Sequence, residues 1–229
     1  MLRLLALAGF VLTALDSSAA LAQKATFLTV SYIEVGPVLA KVGALALRGY
    51  RDANANDKSI ADLNVLERID RPSHFVVLAA WADKAAYEAH TAGEPFKKLN
   101  EKLATLLAAP IDIRQNNALT VAPPKPGKDR IFVVTHVDVI PSNKDNAVAA
   151  LEQLADESRK HPGNLQFDVW QQADRPNHFS VVEVWNNRGA FDLHQMQKET
   201  REFRGKLGAM TGALYDERVY RPLSGGTIR

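Results

Sequence analysis

Short segments of alternating apolar and polar residues are separated along the chain by stretches with helical spacing. From Phe27 to Val35 the side chains alternate with a period of two and many are β-branched, which predicts a strand. Pro37 then suits the first turn of a helix, where its missing amide hydrogen costs little, and Leu and Ala recur at helical spacing from 38 to 53. The pattern continues with strands at 62–69 and 74–81, a helical region at 84–108 interrupted near 93–95, and a strand at 111–121.

The same series of elements occurs a second time, 104 residues further along the chain. Residues 70–90 and 174–194 share an Asp-Arg-Pro turn, a His-Phe pair, a strand ending in Trp, and a His nine residues after that Trp. Between residues 27–90 and their counterparts, 16 of 64 positions are identical. A repeat of this kind sets the architecture, and it predicts unit 1 (residues 25–121) and unit 2 (residues 131–222).

Each unit reads strand, helix, strand, strand, helix, strand, which is the ferredoxin-like order with both helices on one face of an antiparallel sheet. An apolar second face must also be covered. We therefore predict an α+β fold in which two tandem ferredoxin-like βαββαβ units pack sheet to sheet within one chain. In unit 2 we expect an unbroken helix over 189–210, and matching Phe96 with Phe203 predicts about three extra residues there. Residues 122–130 read as a stiff, proline-rich linker, and residues 223–229 as a loose tail.

Residues 1–22 have the features of a secretory signal peptide. Arg3 precedes an apolar run from Leu4 to Leu15, and Ala20-Leu21-Ala22 matches a small-x-small cleavage site. The run is too short to span a bilayer permanently. We expect a protein secreted to the periplasm, cleaved near Ala22, with no stable membrane span.

Composition narrows the chemistry further. The chain has no cysteine, which removes disulfides, thiolate nucleophiles and cysteine metal sites. Its net charge is +2, and no run of Lys and Arg could follow a phosphate backbone, so we expect no nucleic-acid partner. The histidines show no metal-ligand spacing, and no glycine-rich phosphate loop follows a strand.

At this point the sequence resembles a known family. The turn Asp-x-Pro-x-His-Phe at 174–179, the strand end Glu-Val-Trp at 183–185 and the Trp–His spacing resemble the antibiotic biosynthesis monooxygenase (ABM) domain of the dimeric α/β-barrel superfamily. Members usually pair as homodimers, so the resemblance implies a monomeric pseudo-dimer that forms an intramolecular dimeric α/β barrel, with further self-association left open. The superfamily includes cofactor-free quinol and polyketide oxygenases, haem-degrading proteins and members without known activity. Unit 1 departs from the pattern, since Ala79 takes the place of Glu183.

The repeated tryptophans and histidines are the main candidates for chemistry. Trp81 and Trp185 are either core residues that anchor the second helix, or pocket walls that stack on a flat substrate such as a quinol. His90 and His194 are either packed helix residues, or general bases that take a phenolic proton. The substrate-binding candidates are completed by Glu183, Phe191 and Tyr87.

Two further candidates lie on the first strand of each unit. Tyr32 and His136 occupy equivalent positions, and each is followed two residues later by an acid. They face solvent at a sheet edge or, if they point toward the helices, they orient a substrate hydroxyl. His74 and His178, directly after the turn, are expected to be exposed hairpin residues.

The leading hypothesis is a cofactor-independent monooxygenase that acts on a small aromatic or quinol-type molecule with O₂. The first alternative is a non-catalytic protein that binds haem, with histidine as axial ligand, or another small ligand. The second alternative is a structural or stress-response protein whose pockets are filled by side chains.

Overall fold

The computed structural model describes residues 26–223, so the predicted signal peptide and nearly all of the predicted tail lie outside the described residues. The elements of unit 1 are β1 (Phe27–Glu34), α1 (Ala40–Ala53), β2 (Ile60–Arg68), β3 (His74–Trp81), α2 (Lys84–Thr91), α3 (Glu94–Leu103) and β4 (Asp112–Thr120). The elements of unit 2 are β5 (Ile131–Asp138), α4 (Lys144–Ser158), β6 (Asn164–Gln172), β7 (His178–Trp185), α5 (Arg188–Gln195), α6 (Lys198–Gly208) and β8 (Asp216–Pro222). None of the helices in this described part is both long and apolar enough to cross a bilayer.

All eight strands join one closed antiparallel barrel in the order β1-β3-β2-β8-β5-β7-β6-β4. Within each unit the strand order is the ferredoxin-like one, which confirms the predicted α+β fold with two tandem units. The units also pair edge to edge, β2 with β8 and β4 with β6. This pairing uses the backbone groups that open sheet edges would expose, and one chain completes the barrel by itself.

The period of two along each strand separates two environments. In β1, Leu28, Val30 and Tyr32 point into the barrel, and Phe27 and Ile33 point toward the helices. One apolar cluster fills the barrel, and a further cluster lies between sheet and helices in each unit. Both faces of the sheet are therefore buried, and two distinct places exist where polar side chains could meet a ligand: the helix side and the barrel interior.

The second helical region is broken in both units, whereas the sequence predicted a break only in unit 1. Gly93 precedes α3 in unit 1, and Gln197 holds the equivalent extended position before α6 in unit 2. Neither glycine nor proline stands at the break in unit 2. The expectation of an unbroken helix was wrong because the break follows from packing both short helices on one curved sheet, not from a local breaker residue.

The offset of 104 residues also persists to the end of each unit. The last helices begin at Glu94 and Lys198, and the last strands begin at Asp112 and Asp216. The predicted insertion in unit 2 was therefore wrong. The residue equivalent to Phe203 is Leu99, and both are buried under the first helix of their unit.

The linker runs against unit 2. The backbone amide of Lys125 donates to the carbonyl of Leu165, and that of Ala122 donates to the carboxylate of Asp168. A Cβ atom at Gly127 would lie 2.4 Å from Leu165 Cδ1, so only glycine lets the chain pass this close.

Candidate functional site

The cap of the helix that follows each tryptophan determines what lies above the indole ring. Two residues after each tryptophan, Asp83 or Asn187 accepts a hydrogen bond from the backbone amide three residues later and starts the helix. Because the helix begins at a fixed point, the histidine nine residues after the tryptophan returns over the end of the strand. The repeated spacing therefore has a geometric cause.

The structure brings these residues together as two Trp/His pairs, Trp81–His90 and Trp185–His194. Their ring centroids are 4.8 and 4.6 Å apart, and both pairs lie on the helix side of the sheet. The tryptophans are 2% and 0% exposed and the histidines 7% and 3%. Each pair is thus packed tightly by its neighbours in the layer between sheet and helices.

In unit 1, His90 lies in the middle of a hydrogen-bonded chain. Its Nδ1 is 3.2 Å from Asp57 Oδ2, and its Nε2 is 2.8 Å from the hydroxyl of Tyr50. An ionised carboxylate only accepts hydrogen bonds, so Nδ1 carries the proton and Nε2 accepts the phenolic hydrogen of Tyr50. Burial alone would raise the pKa of Asp57, but hydrogen bonds from Ser59 and His90 outweigh it and hold that pKa below its usual value.

The surroundings of this first pair reach toward the surface. The ring of Tyr87 lies 5.5 Å from that of Trp81, and the ring of Phe96 lies 6.2 Å from His90. Both aromatic residues are half-buried, and the side chain of Asp57 is 32% exposed. Unit 1 therefore has an aromatic wall with one edge near solvent.

In unit 2, a buried carboxyl group takes part instead. Trp185 Nε1 donates to Glu183 Oε2 over 2.9 Å, and the same oxygen is 3.7 Å from His194 Nε2. Burial, reinforced by the charge of Glu217, raises the pKa of Glu183 to about 8. Glu183 is therefore mostly protonated at neutral pH, and its contact with His194 is not an ion pair.

His194 is also held in its neutral form. Its Nδ1 is 2.9 Å from His161 Nδ1 and 3.3 Å from Thr200 Oγ1. Burial, followed by the charges of His161 and Arg204, lowers the pKa of His194 to about 3. Phe191, 2% exposed, closes the layer with its ring 6.3 Å from the imidazole. Unit 2 is the more sealed of the two.

Sequence reasoning missed the partners of both histidines. The offset of 104 residues pairs Asp57 with His161, so the repeat itself could have indicated a polar contact at this position. Tyr50 has Leu154 as its counterpart, and nothing in the local pattern distinguishes it from a core residue. Its role depends on which face of α1 packs over the sheet, which only the fold decides.

The remaining two catalytic candidates are not part of this layer. Tyr32 and His136 point into the barrel, so the role predicted for them beside the helices was wrong, as was the view that they lie at an open sheet edge. The ring of Tyr32 lies between the guanidinium groups of Arg114 and Arg218, each 4.9 Å from its centroid. His136 Nε2 is 3.2 Å from His178 Nδ1. Barrel closure places these groups at one mouth of the barrel.

The histidines after the two turns were expected to be exposed, and this was wrong as well. The side chains of His74 and His178 are only 21% and 15% exposed. Each faces the acid opposite it on the first strand, Glu34 at 3.5 Å and Asp138 at 3.4 Å. The closed barrel encloses these strand ends, which an isolated hairpin would leave in solvent.

Comparison with known proteins places this geometry in a family. The sequence profile of the family described as "Antibiotic biosynthesis monooxygenase" matches residues 46–102 and 130–206. An uncharacterized protein of Synechocystis is 27% identical over 97 residues, which is 42% of this chain and 66% of that protein. A Bacillus subtilis protein named "Putative monooxygenase YcnE" is 27% identical over 75 residues, covering 33% of this chain and 76% of the relative.

Solved structures show the same fold over nearly the whole described chain. A Fusobacterium nucleatum protein with the same monooxygenase name has a TM-score of 0.78 at 15% identity, covering 87% of this chain and 93% of that one. An anthrone oxidase-like protein has a TM-score of 0.65 at 15% identity, covering 89% and 96%. These likenesses show the fold, and the profile match over both units shows the family. The chain belongs to the antibiotic biosynthesis monooxygenase family, as a tandem of two such domains that closes one barrel.

Proposed function

We propose that the protein is a cofactor-independent monooxygenase that oxidises a small hydroxylated aromatic molecule, of the quinol type, at the Trp81–His90 pair of unit 1. The observation that carries the proposal is the Asp57–His90–Tyr50 chain. It presents an imidazole nitrogen that already accepts a hydrogen bond from a phenol, next to an indole face. Family membership supports the reaction class.

The chain of hydrogen bonds suits proton removal from a substrate. We propose that the substrate hydroxyl takes the place of the Tyr50 hydroxyl at His90 Nε2. His90 then accepts the proton, and the Asp57 carboxylate stabilises the resulting imidazolium and keeps its ring oriented. Trp81 and the half-buried Tyr87 provide aromatic surfaces for the substrate ring.

Deprotonation makes the ring electron-rich enough to react with O₂ directly. For a naphthohydroquinone, the ring C–H bond is replaced by C–OH and the quinol becomes a quinone. One oxygen atom of O₂ enters the product as the new hydroxyl oxygen, and the other leaves as water. The substrate gives up four electrons and a net two hydrogens, which balances the reduction of O₂.

Unit 2 supports this chemistry less well. Its carboxyl group, Glu183, is protonated at neutral pH, and its imidazole, His194, has a pKa lowered to about 3. A base that weak holds a phenolic proton poorly. We infer that the second pair serves mainly to pack the layer.

The residues around either histidine do not fit a haem. An axial ligand needs a free imidazole nitrogen facing a cavity. In His90 both nitrogens have protein partners, Tyr50 and Asp57. In His194 one nitrogen contacts His161 and the other faces the buried Glu183. The packing therefore favours the cofactor-independent reaction over haem binding.

Export belongs to the same proposal, since the predicted signal peptide would deliver the enzyme to the periplasm. N-terminal sequencing of protein from a periplasmic extract is expected to give a chain that begins at Gln23. A protein that retains Arg3 and remains with the cytoplasmic fraction would contradict export and leave the proposed chemistry intact.

The reaction itself is tested with 1,4-naphthohydroquinone under ¹⁸O₂. We expect protein-dependent O₂ uptake above the buffer rate, a hydroxynaphthoquinone that contains one ¹⁸O atom, and no hydrogen peroxide. Simple autoxidation gives unlabelled quinone and peroxide instead. Uptake equal to the buffer control, or an unlabelled product, would overturn the proposal.

A further inference from the structure

A polar cleft opens at the barrel mouth on the side of unit 2, away from both Trp/His pairs. Its volume is about 410 Å³, and eight of its nine lining residues are polar or charged, Ile113 being the exception. Pockets that bind small molecules span about 300–1,000 Å³ and are usually mostly apolar. This one therefore suits a different kind of ligand from the flat aromatic molecule proposed for the helix side.

The protonation of one wall follows from its hydrogen bonds. Asp138 Oδ1 lies 3.4 Å from His178 Nε2, and His178 Nδ1 lies 3.2 Å from His136 Nε2. With an acceptor-only carboxylate at one end, His178 carries its proton on Nε2 and accepts on Nδ1. His136 then carries its proton on Nε2, which leaves its Nδ1 as a bare acceptor. Burial, followed by the charges of Arg114 and His178, lowers the pKa of His136 to about 4, so the ring is neutral near pH 7.

A donor without a partner lies in the same cleft. Arg114 uses Nε and Nη2 to donate to Asp112, and its third nitrogen, Nη1, is buried. Within residues 26–223, neither Arg114 Nη1 nor His136 Nδ1 has a hydrogen-bond partner. Buried polar atoms are nearly always paired, so one donor and one acceptor here call for an external group.

The other half of the mouth shows why there is one cleft of this kind and not two. At the position equivalent to His136, unit 1 has Tyr32, whose ring occupies the space between Arg114 and Arg218. Its hairpin histidine, His74, contacts Ser73 and Glu34, not an imidazole. Exchanging a tyrosine for the smaller histidine therefore creates both the space and the unpaired nitrogen.

We propose that the cleft binds a small uncharged polyol or sugar, through a hydroxyl whose oxygen accepts from Arg114 Nη1 and whose hydrogen is donated to His136 Nδ1. A hydroxyl group satisfies both atoms at once, whereas an anion has no hydrogen for the bare nitrogen. The lining also holds three carboxylates against two guanidinium groups, which opposes an anion. These planar groups match the several hydroxyls of a polyol, and the site lies across the sheet from the proposed oxygenase site.

Binding is tested by titrating the whole mature protein with myo-inositol and following the imidazole resonances by NMR. We expect saturable shifts of the His136 and His178 signals, with those of His90 and His194 unchanged. The variant His136→Tyr copies the residue that unit 1 carries at this position, and it should fill the cleft and weaken binding at least tenfold. The variant His74→Ala, on the other half of the mouth, should bind as the wild type does.

Further outcomes decide against the proposal. Absence of a saturable shift with myo-inositol, or unchanged affinity in His136→Tyr, would overturn it. Tighter binding of sulfate or of 1,4-naphthohydroquinone at the same resonances would replace the polyol with an anion or an aromatic ligand. If His136→Tyr does not fold by circular dichroism, Arg114→Gln provides the same test, with at least a tenfold loss expected.

Discussion

The two Trp/His pairs have nearly the same geometry, yet they are built for different protonation states. The ring separations are 4.8 and 4.6 Å, and the same helix caps set them. The positions around the rings differ, with Asp57, Tyr50 and Ala79 in unit 1 replaced by His161, Leu154 and Glu183 in unit 2. Duplication has thus preserved the packing while the proton partners diverged.

The position of the carboxyl group explains the difference. Asp57 lies at the edge of its layer, partly in water and hydrogen-bonded, and its pKa stays below the usual value. Glu183 lies in the middle of its layer, and burial raises its pKa to about 8. A carboxylate keeps its charge only where water or donors compensate for desolvation. A charged relay is therefore available in unit 1, whereas unit 2 holds a neutral cluster.

The largest effect that separates the units is expected in catalysis. His90→Gln should lower kcat/KM for 1,4-naphthohydroquinone by about 10²–10⁴-fold, because a general base contributes that much. His194→Gln, the matched change in unit 2, should lower it by less than about tenfold on the same scale. Oxygen-electrode rates on both folded variants measure the contrast, and a larger loss in His194→Gln would assign catalysis to the wrong unit.

A pH-dependent stability difference should come from unit 2. The pKa of Glu183 is raised from 4.5 to about 8 on folding, so the folded protein binds the extra proton and loses stability as pH rises between these values. Glu183→Gln still offers an oxygen to the Trp185 indole and removes this loss. At pH 8 it should raise the free energy of unfolding by a few kcal/mol, at about 1.4 kcal/mol per pKa unit, and at pH 4.5 by much less.

Urea unfolding of wild type and variant at both pH values measures this difference. Equal changes at pH 4.5 and pH 8 would mean that Glu183 is ionised in the folded protein. The two layers would then resemble each other electrostatically, against the comparison made above.

The smallest effect concerns the indole hydrogen bonds. Trp81 Nε1 donates to Thr29 Oγ1 over 3.1 Å, whereas Trp185 uses Glu183. Thr29→Val keeps the side-chain shape but leaves the buried indole hydrogen unpaired, which should cost about 1–3 kcal/mol of folding free energy. Thr29→Ser, which keeps the hydroxyl, is the control, and chemical denaturation compares them. Equal losses in both variants would show that the methyl group matters and not the hydrogen bond.

Much of the architecture could be predicted from the sequence because it is repeated. The period of two in β1 and β5, the prolines after them and the Asp-Arg-Pro turns predicted two ferredoxin-like units, and the structure confirms them. The Trp–His spacing of nine residues predicted two pairs, since a capped helix after a strand end leaves few alternatives. Regular local geometry transmits such patterns directly into space.

Local patterns failed where distant parts of the chain meet. The sequence placed Tyr32 and His136 on one strand face but could not show that this face lines a closed barrel, because closure depends on the β2–β8 and β4–β6 pairings. It also could not show that Tyr50 contacts His90.

The sequence by itself therefore determined the repeated elements and the side of each strand on which a residue lies. Only the tertiary structure decided what covers each side and which groups stay charged, as the contrast between Asp57 and Glu183 shows. The physical reason is that side-chain direction follows from the local backbone, whereas desolvation and hydrogen-bond partners depend on everything that packs around a group.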